Sequence, residues 1–185
     1  MKSVLISIQP KYCELIVNGK KTIEVRKTRP KIETPFKCYI YCTIGNGVKG
    51  DYLVPSSIQC GKVIGEFVCD KVYSIKNRGF CFSVATEGES ITDEIARKSC
   101  LDYDDMVNYL GDKDGYGWHI SDLKIYDKPK ELSEFRPICK FEGKDAICAL
   151  FCPNWKYDGG LFFECTRKVT RPPQSWMYVE EIETR

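Results

Sequence analysis

The five residues from Thr22 to Arg26 constrain the fold more than any other part of this 185-residue chain. Polar and apolar side chains alternate strictly here, so Ile23 and Val25 leave an extended strand on one face while Glu24 and Arg26 leave it on the other. A charged face opposite an apolar face either meets water or lines a pocket. The sequence therefore predicts a strand whose charged face bears directly on what the protein can bind.

Around this strand the sequence predicts further short strands and a few short helices. A first strand spans 4–7, and a helix then opens at Pro10, whose fixed φ suits the first helical position, and ends near Gly19, which tolerates a left-handed cap. Other predicted strands are 37–43, 62–73, 79–84, 115–126 and 174–182, and two helices are expected after capping residues Ser90 and Asp102. Five to six mostly antiparallel strands with packed short helices indicate an α+β fold built on a small β-barrel.

Length and composition are typical of a single globular domain. The chain is 43% hydrophobic and 29% charged, and no apolar run approaches the roughly 20 residues needed to span a membrane. The chain has eleven cysteines, an odd number, and shows no visible export signal. Both observations favour free thiols in a reducing cytoplasm. We therefore expect residues 1–185 to form one cytoplasmic domain, with a cysteine-bearing insertion at about 136–172.

Basic residues are concentrated near the amino terminus. Between Lys11 and Lys31 there are seven basic residues and two acidic ones, although the whole chain carries a net charge of only +2. Such a region steers anionic partners toward itself, but it is equally typical of a solvated surface. Charge alone leaves both interpretations open.

The segment from Gly19 to Arg26 resembles the G-x-K-x-x-E-x-R signature of the ASCH family, with Lys21, Glu24 and Arg26 at the signature positions. The strand and helix before it, the stretches 61–72 and 117–126, and the pattern 173–176 (PQSW) are similar to the same family, the last to a subgroup of bacteria and their phages. The resemblance implies a PUA-like barrel with a cavity beside the first helix, and a role in binding RNA or modified nucleotides.

The resemblance also implies which residues contact the ligand of such a non-catalytic module. Glu24 offers a hydrogen-bond acceptor and Arg26 a planar donor fork, which suit a base edge or a phosphate. The alternative is that these two side chains only pair on a surface strand, an interaction worth ~0–1 kcal/mol. The predicted ligand-binding residues are Lys20, Lys21, Glu24, Arg26, Glu66, Trp118 and Ser175. For Trp118 and for Trp176, however, a place in the hydrophobic core is expected in preference to a contact with the ligand.

An amidohydrolase acting on an acylated or modified nucleoside is the alternative function. Small bacterial relatives with this activity use a lysine and a threonine of the same signature, which implies catalytic candidates Lys21, Thr22 and Glu24 here. The nucleophile's position is occupied by Glu24, and Thr22 lies one pleat away, ~6.6 Å along the strand. A nucleophile must come within about 3–3.5 Å of the reacting carbon, so this mechanism is not the expected one.

The cysteine-bearing insertion raises the alternative of a zinc site. No other cofactor is expected. Cys139, Cys148, Cys152 and Cys165 supply four thiolates that can hold zinc in other proteins. The spacing of Cys148 and Cys152, with three apolar residues between them, is unlike the usual two-residue zinc knuckle. We expect thiols packed among apolar side chains rather than a metal site.

Overall fold

The computed structural model describes residues 2–44, 58–78, 82–84, 92–139, 154–157 and 163–182. The helices of this part are α1 (Pro10–Val17), α2 (Thr92–Ser99) and α3 (Tyr103–Leu110), with a 3₁₀ turn at Leu132–Glu134. The strands are β1 (Lys2–Ile8), β2 (Ile23–Arg26), β3 (Phe36–Cys42), β4 (Val63–Cys69), β5 (Val72–Asn77), β6 (Phe82–Val84), β7 (Gly115–His119), β8 (Ser121–Lys130), β9 (Trp155–Tyr157), β10 (Phe163–Cys165) and β11 (Trp176–Glu180).

Two helix boundaries lie where the sequence predicts them. Helix α1 begins at Pro10, and Gly19 follows its end with φ +67°, in the left-handed region that favours glycine. Helix α3 follows Asp102, whose carboxylate accepts a 2.7 Å hydrogen bond from the Asp105 amide. The other predicted cap, Ser90, lies outside the described residues.

The strands form two main sheets. In the five-stranded sheet the order is β11-β1-β3-β4-β8, with β1 and β3 parallel and the other pairs antiparallel. In the four-stranded sheet the order is β2-β7-β5-β6, entirely antiparallel, which places β2 at an edge. Strands β9 and β10 form a separate hairpin within the insertion. The α+β class agrees with the sequence prediction.

Two predicted strands were wrong in extent, because each is divided where the chain passes between sheets. The segment 62–73 is interrupted at Asp70 and Lys71, between β4 of the five-stranded sheet and β5 of the four-stranded one. The segment 115–126 is interrupted at Ile120, where the chain returns from β7 to β8. These two divisions and the two strands of the unpredicted hairpin bring the seven strand segments expected from the sequence to eleven strands in the described residues. Such corners link sheets in barrel-like folds.

Gly65 is required for the close packing of β4 between its neighbours. The register of β4 shifts next to this residue on both sides, toward β3 and toward β8. A Cβ atom placed on Gly65 would lie 2.5 Å from the Lys124 carbonyl oxygen. A bulge therefore lies at this glycine, and any side chain would force the strands apart.

The core consists of three layers of apolar side chains. Residues such as Ile6, Ile40 and Trp118 fill the space between the two sheets. Ile23 and Val25 of β2 pack on the opposite face of the four-stranded sheet, in a cluster with side chains of α2 and α3. A third cluster covers the outer face of the five-stranded sheet. In the described part of the chain, the helices are too short or too polar to traverse a bilayer.

Candidate functional site

The charged face of β2 points into the protein. Glu24 and Arg26 lie opposite Trp118 and Tyr116 of β7, and cross-strand partners leave an antiparallel sheet on the same face. Trp118 is fully buried between the sheets, so Glu24 and Arg26 point into the same layer and each is only 6% exposed. Their carboxylate and guanidinium form an ion pair with Arg26 Nη2 2.9 Å from Glu24 Oε1. The two side chains do pair, but inside the protein and not on a surface strand.

Lys21 joins this pair from the turn between α1 and β2. Its main-chain amide donates to the Leu15 carbonyl of α1, and its side chain is 2% exposed. Lys21 Nζ lies 3.3 Å from Glu24 Oε2 and donates a 2.5 Å hydrogen bond to the Ser99 carbonyl at the end of α2. A cation at a helix carboxyl end is favourable because the last carbonyls of the helix carry partial negative charge.

Arg26 ties β2 to the ends of two strands of the other sheet. Its Nη2 donates to the Ser7 carbonyl near the end of β1, and its Nη1 donates to Ser175 Oγ just before β11, over 3.3 Å. The Ser7 amide in turn donates to the Ser175 carbonyl. Burial raises the pKa of Tyr109, whose hydroxyl also hydrogen-bonds to the Arg26 side chain. Predicted residues Lys21, Glu24, Arg26 and Ser175 are thus brought together.

The resulting Lys21–Glu24–Arg26 cluster has more donors than acceptors. Two cations surround one carboxylate, so the cluster carries a surplus positive charge. Within the described residues, Arg26 Nε and Trp118 Nε1 are buried N–H donors without a hydrogen-bond partner. Buried donors are normally paired, since an unpaired one costs about 1–3 kcal/mol. The arrangement is suited to an added acceptor.

Aromatic side chains extend from this cluster toward the surface. The Trp118 ring contacts the half-buried Trp176 ring at a centroid distance of 6.0 Å, and Trp176 contacts Tyr178 at 5.4 Å. Trp176 Nε1 donates to Thr28 Oγ1, and the Tyr178 hydroxyl accepts from the Lys31 amide. A cavity of about 350 Å³ lies along the segment that follows Thr28. It is lined by Arg29, Pro30, Ile32, Glu33, Thr34 and Val72.

Two of the other predicted ligand-binding residues, Lys20 and Glu66, lie apart from this cluster. The Lys20 side chain is exposed, although its main chain belongs to the same turn. Glu66 is buried elsewhere, on β4, where it accepts a 2.5 Å hydrogen bond from the Tyr126 hydroxyl and lies 3.8 Å from Lys37 Nζ. Burial and the Glu66 carboxylate raise the pKa of Tyr126. Glu66 therefore belongs to a second polar group.

The catalytic candidates of the alternative function are only partly assembled. Lys21 Nζ contacts Glu24 and the Ser99 carbonyl. The Thr22 main chain links two elements, since its amide donates to Lys98 and its carbonyl accepts from Ile120. No contact between Lys21 Nζ and the Thr22 hydroxyl is present among the described residues.

Two of the four predicted zinc ligands fall within the described residues. Cys165 Sγ accepts a 3.0 Å hydrogen bond from Arg167 Nε, and both Cys165 and Cys139 raise the pKa of Arg167, although its burial opposes this. Cys148 and Cys152 lie outside the described residues. Among the described residues there is no group of three or more potential metal ligands.

Sequence reasoning missed the partners that contribute through main-chain oxygens. Ser7 and Ser99 accept hydrogen bonds from Arg26 and Lys21 with their carbonyls, so their side-chain identity carries no signal. Tyr109 lies in a helix that the sequence predicts, but no pattern in the sequence marks it as a partner of Arg26. The cavity at Arg29 to Thr34 follows the signature directly, but nothing in its composition marks it.

Comparison with known proteins finds a matching domain model and a shared fold. Residues 6–77 match the model of the ASCH domain. Two crystal structures of an ASCH protein from Zymomonas mobilis are similar: a serine-to-alanine variant (16% identity, 97% of this chain and 89% of that one, TM-score 0.55) and a tyrosine-to-phenylalanine variant (18%, 98% and 92%, 0.52). No curated protein matches the chain significantly. At these identities the solved structures show a shared fold.

Proposed function

We propose that this chain, which carries an ASCH domain at residues 6–77 and has the fold of ASCH proteins, is a non-catalytic module that binds a nucleotide unit, either free or within RNA. The single observation that carries the proposal is the donor surplus of the Lys21–Glu24–Arg26 cluster. Two buried cations share one carboxylate, and two buried N–H groups in the same layer, Arg26 Nε and Trp118 Nε1, lack acceptors among the described residues. A ligand that brings oxygen or nitrogen acceptors would satisfy those groups.

The chemistry of the cluster indicates which part of a nucleotide it would take. Arginine presents donors in a planar fork that matches a phosphate or the acceptor edge of a base. Glu24 is already shared between Lys21 and Arg26, so it orients the two cations and leaves their remaining donors for the ligand. The ligand is therefore expected to contribute acceptors, such as phosphate or carbonyl oxygens.

The position of β2 provides a route to the cluster. This strand is at the edge of the four-stranded sheet, and Glu24 and Arg26 retain a small exposed fraction. Half-buried Tyr109 and Ser175 lie next to Arg26. The Trp176 and Tyr178 rings and the exposed Arg29 extend this surface, which supports binding of single-stranded RNA, since such RNA is read by stacking on aromatic rings together with edge and phosphate contacts.

Binding by a conservative arginine variant tests the proposal. Affinity is measured by fluorescence anisotropy with labelled single-stranded RNA oligomers and by calorimetry with nucleoside monophosphates, at two salt concentrations. Arg26→Lys keeps the charge but removes Nε and the fork, so we expect at least about a tenfold loss of affinity, the worth of a hydrogen bond to a charged group. Arg167→Lys makes the same change in a different ion pair, with Glu180, and should bind like the wild type.

Two outcomes would contradict the proposal. The first is that the wild-type chain binds neither RNA nor a mononucleotide in these assays. The second is that Arg26→Lys and Arg167→Lys both bind as tightly as the wild type. Circular dichroism of each variant shows whether it is folded, so that a loss of binding is not mistaken for unfolding.

A cytoplasmic location is part of the same proposal. The eight cysteines among the described residues are all free, which suits a reducing compartment. We do not extend the proposal to amidohydrolase activity, because no observation favours it. The absence of a resident cofactor likewise stays an expectation.

A further inference from the structure

Two thiols are held side by side at one end of the five-stranded sheet. Cys42 ends β3, and Cys60 lies just before β4, with their sulfur atoms 3.6 Å apart. The main chain fixes this arrangement, because the Gly61 amide donates to the Cys42 carbonyl over 2.8 Å and the Cys42 amide donates to the Lys62 carbonyl over 2.9 Å. Both thiols are free. The contact is therefore built into the pairing of the two chain segments.

A third thiol makes this pair chemically asymmetric. Cys13 of α1 hydrogen-bonds to Cys42, and this bond lowers the pKa of the Cys42 thiol, although burial opposes the effect. Burial and the hydrogen bond to Cys42 raise the pKa of Cys60 to about 11. Cys42 is fully buried, whereas Cys60 is half-buried. Cys42 is thus the better thiolate, and Cys60 is the more accessible thiol.

We propose that Cys42 and Cys60 are a site of reversible oxidation, at which a peroxide converts the two thiols into a disulfide. The sulfur atoms need to approach by only about 1.5 Å to reach the S–S bond length of roughly 2.05 Å. Nothing in the nucleotide-binding proposal depends on this step, so each stands or fails separately.

The reaction balances with hydrogen peroxide as the oxidant. The accessible Cys60 thiol passes its proton to the neighbouring Cys42 thiolate as its sulfur attacks one peroxide oxygen, which breaks the O–O bond, forms a sulfenic acid and releases hydroxide; that hydroxide then removes the proton from Cys42. The Cys42 thiolate then attacks the Cys60 sulfur and expels a second hydroxide, forming the S–S bond. The protons lost by the two thiols convert both hydroxides to water. Two electrons pass from the pair of sulfurs to the peroxide, and a dithiol reductant reverses the change.

Peptide mapping of the full chain tests the proposal. After treatment with hydrogen peroxide and alkylation of the remaining thiols, trypsin releases Cys42 in peptide 38–49 and Cys60 in peptide 50–62. We expect these peptides as a cross-linked pair about 2 Da lighter than the sum of the two thiol forms, and we expect dithiothreitol to separate them. The pair should be lost in both Cys42→Ser and Cys60→Ser.

Cys38 supplies the matched control, because it lies in the same tryptic peptide as Cys42. Cys38→Ala should retain the cross-link. Persistence of the cross-link in Cys42→Ser would overturn the assignment, as would recovery of Cys60 only as a singly oxidised or alkylated residue in the wild type. If Cys42→Ser does not fold, the half-buried Cys60→Ser variant and the Cys38→Ala control still decide the outcome.

Discussion

Glu24 of β2 lies directly opposite Trp118 of β7, so a buried carboxylate and a buried indole leave the four-stranded sheet from the same face. This pairing places the indole Nε1, which lacks a partner among the described residues, in the layer that holds the charged cluster. Arg26 is two residues farther along β2 and contributes the second unpaired donor. The register of a single strand pair thus defines the candidate site.

Removing the charge of Glu24 should destabilise the protein strongly. Glu24→Gln preserves the shape of the side chain but leaves two buried cations without a counter-charge, which typically costs about 3–5 kcal/mol. Urea unfolding measures the loss. Glu94→Gln removes the carboxylate of an exposed pair with Lys98 and should leave the midpoint unchanged. Equal midpoints for both variants would mean that the cluster contributes nothing to stability.

Trp118→Phe should weaken nucleotide binding, because it removes the buried Nε1 donor while keeping an aromatic ring in the core. The same anisotropy titration measures this. Phe36→Leu is the control, since Phe36 packs edge-on against Trp118 at 5.8 Å but has no polar atom. We expect Phe36→Leu to lower stability and to spare affinity. If Trp118→Phe keeps its affinity and only loses stability, Trp118 belongs to the core alone.

The Asp70–His119 pair should make stability depend on pH in the acidic range. Burial raises the pKa of Asp70, but the hydrogen bond from His119 outweighs it, so the pKa lies below its usual value. A carboxylate with a lowered folded pKa stabilises above its unfolded pKa of about 3.9, and this contribution is lost as the pH falls through the lowered value. Asp70→Asn should therefore lose stability near neutral pH and little at about pH 2.

Urea midpoints at the two pH values measure the effect of Asp70→Asn. Asp127→Asn, which alters an exposed carboxylate on β8, serves as the control and should leave the pH dependence unchanged. A difference between Asp70→Asn and the wild type that is the same at both pH values would contradict the assignment.

Gly65→Ala should cost more stability than other glycine substitutions. Its Cβ would lie 2.5 Å from the Lys124 carbonyl oxygen, so β4 and β8 must separate, and overpacking of this kind costs about 1–3 kcal/mol. Gly19→Ala meets open space and bears only the strain of φ +67°, about 1–2 kcal/mol. Thermal unfolding compares the two. An equal loss would indicate that β8 can move away without cost.

Incubation with N4-acetylated cytidine should release no acetate, even at high protein concentration. Lys21 Nζ is engaged by the Ser99 carbonyl and Glu24, so it is not placed to activate the Thr22 hydroxyl. Acetate is measured by an enzyme-coupled assay, with boiled protein as the blank. Release of acetate that is abolished in Lys21→Ala would replace the binding module with the amidohydrolase.

The sequence indicated the main features of the site because they depend on local patterns. Alternation along β2 separates Ile23 and Val25 from Glu24 and Arg26, and the structure places the two sets in different layers. The proline and glycine around α1 and the aspartate before α3 act within one turn, so they too could be read directly.

The remaining features depend on residues that are distant in the chain. Ser99 contacts Lys21 and Ser175 contacts Arg26 only because the sheets bring separate segments together, and no periodicity reports such contacts. The long apolar stretches around Asp70 and Ile120 read as single strands because passing from one sheet to the other does not interrupt the apolar pattern. Glu66 was a ligand candidate because the stretch 61–72 resembles the ASCH family, and its sequence context does not show which face of β4 it occupies.

Arg26 bonds to Ser175, and Ser7 of the first strand bonds to the same serine. During synthesis on the ribosome, the signature segment leaves the exit tunnel long before residue 175 has been translated. Until then the guanidinium and the end of β1 are without this partner, so the nascent chain cannot close its binding region early. Completion of the site thereby depends on a residue that lies 149 positions farther along the chain than Arg26.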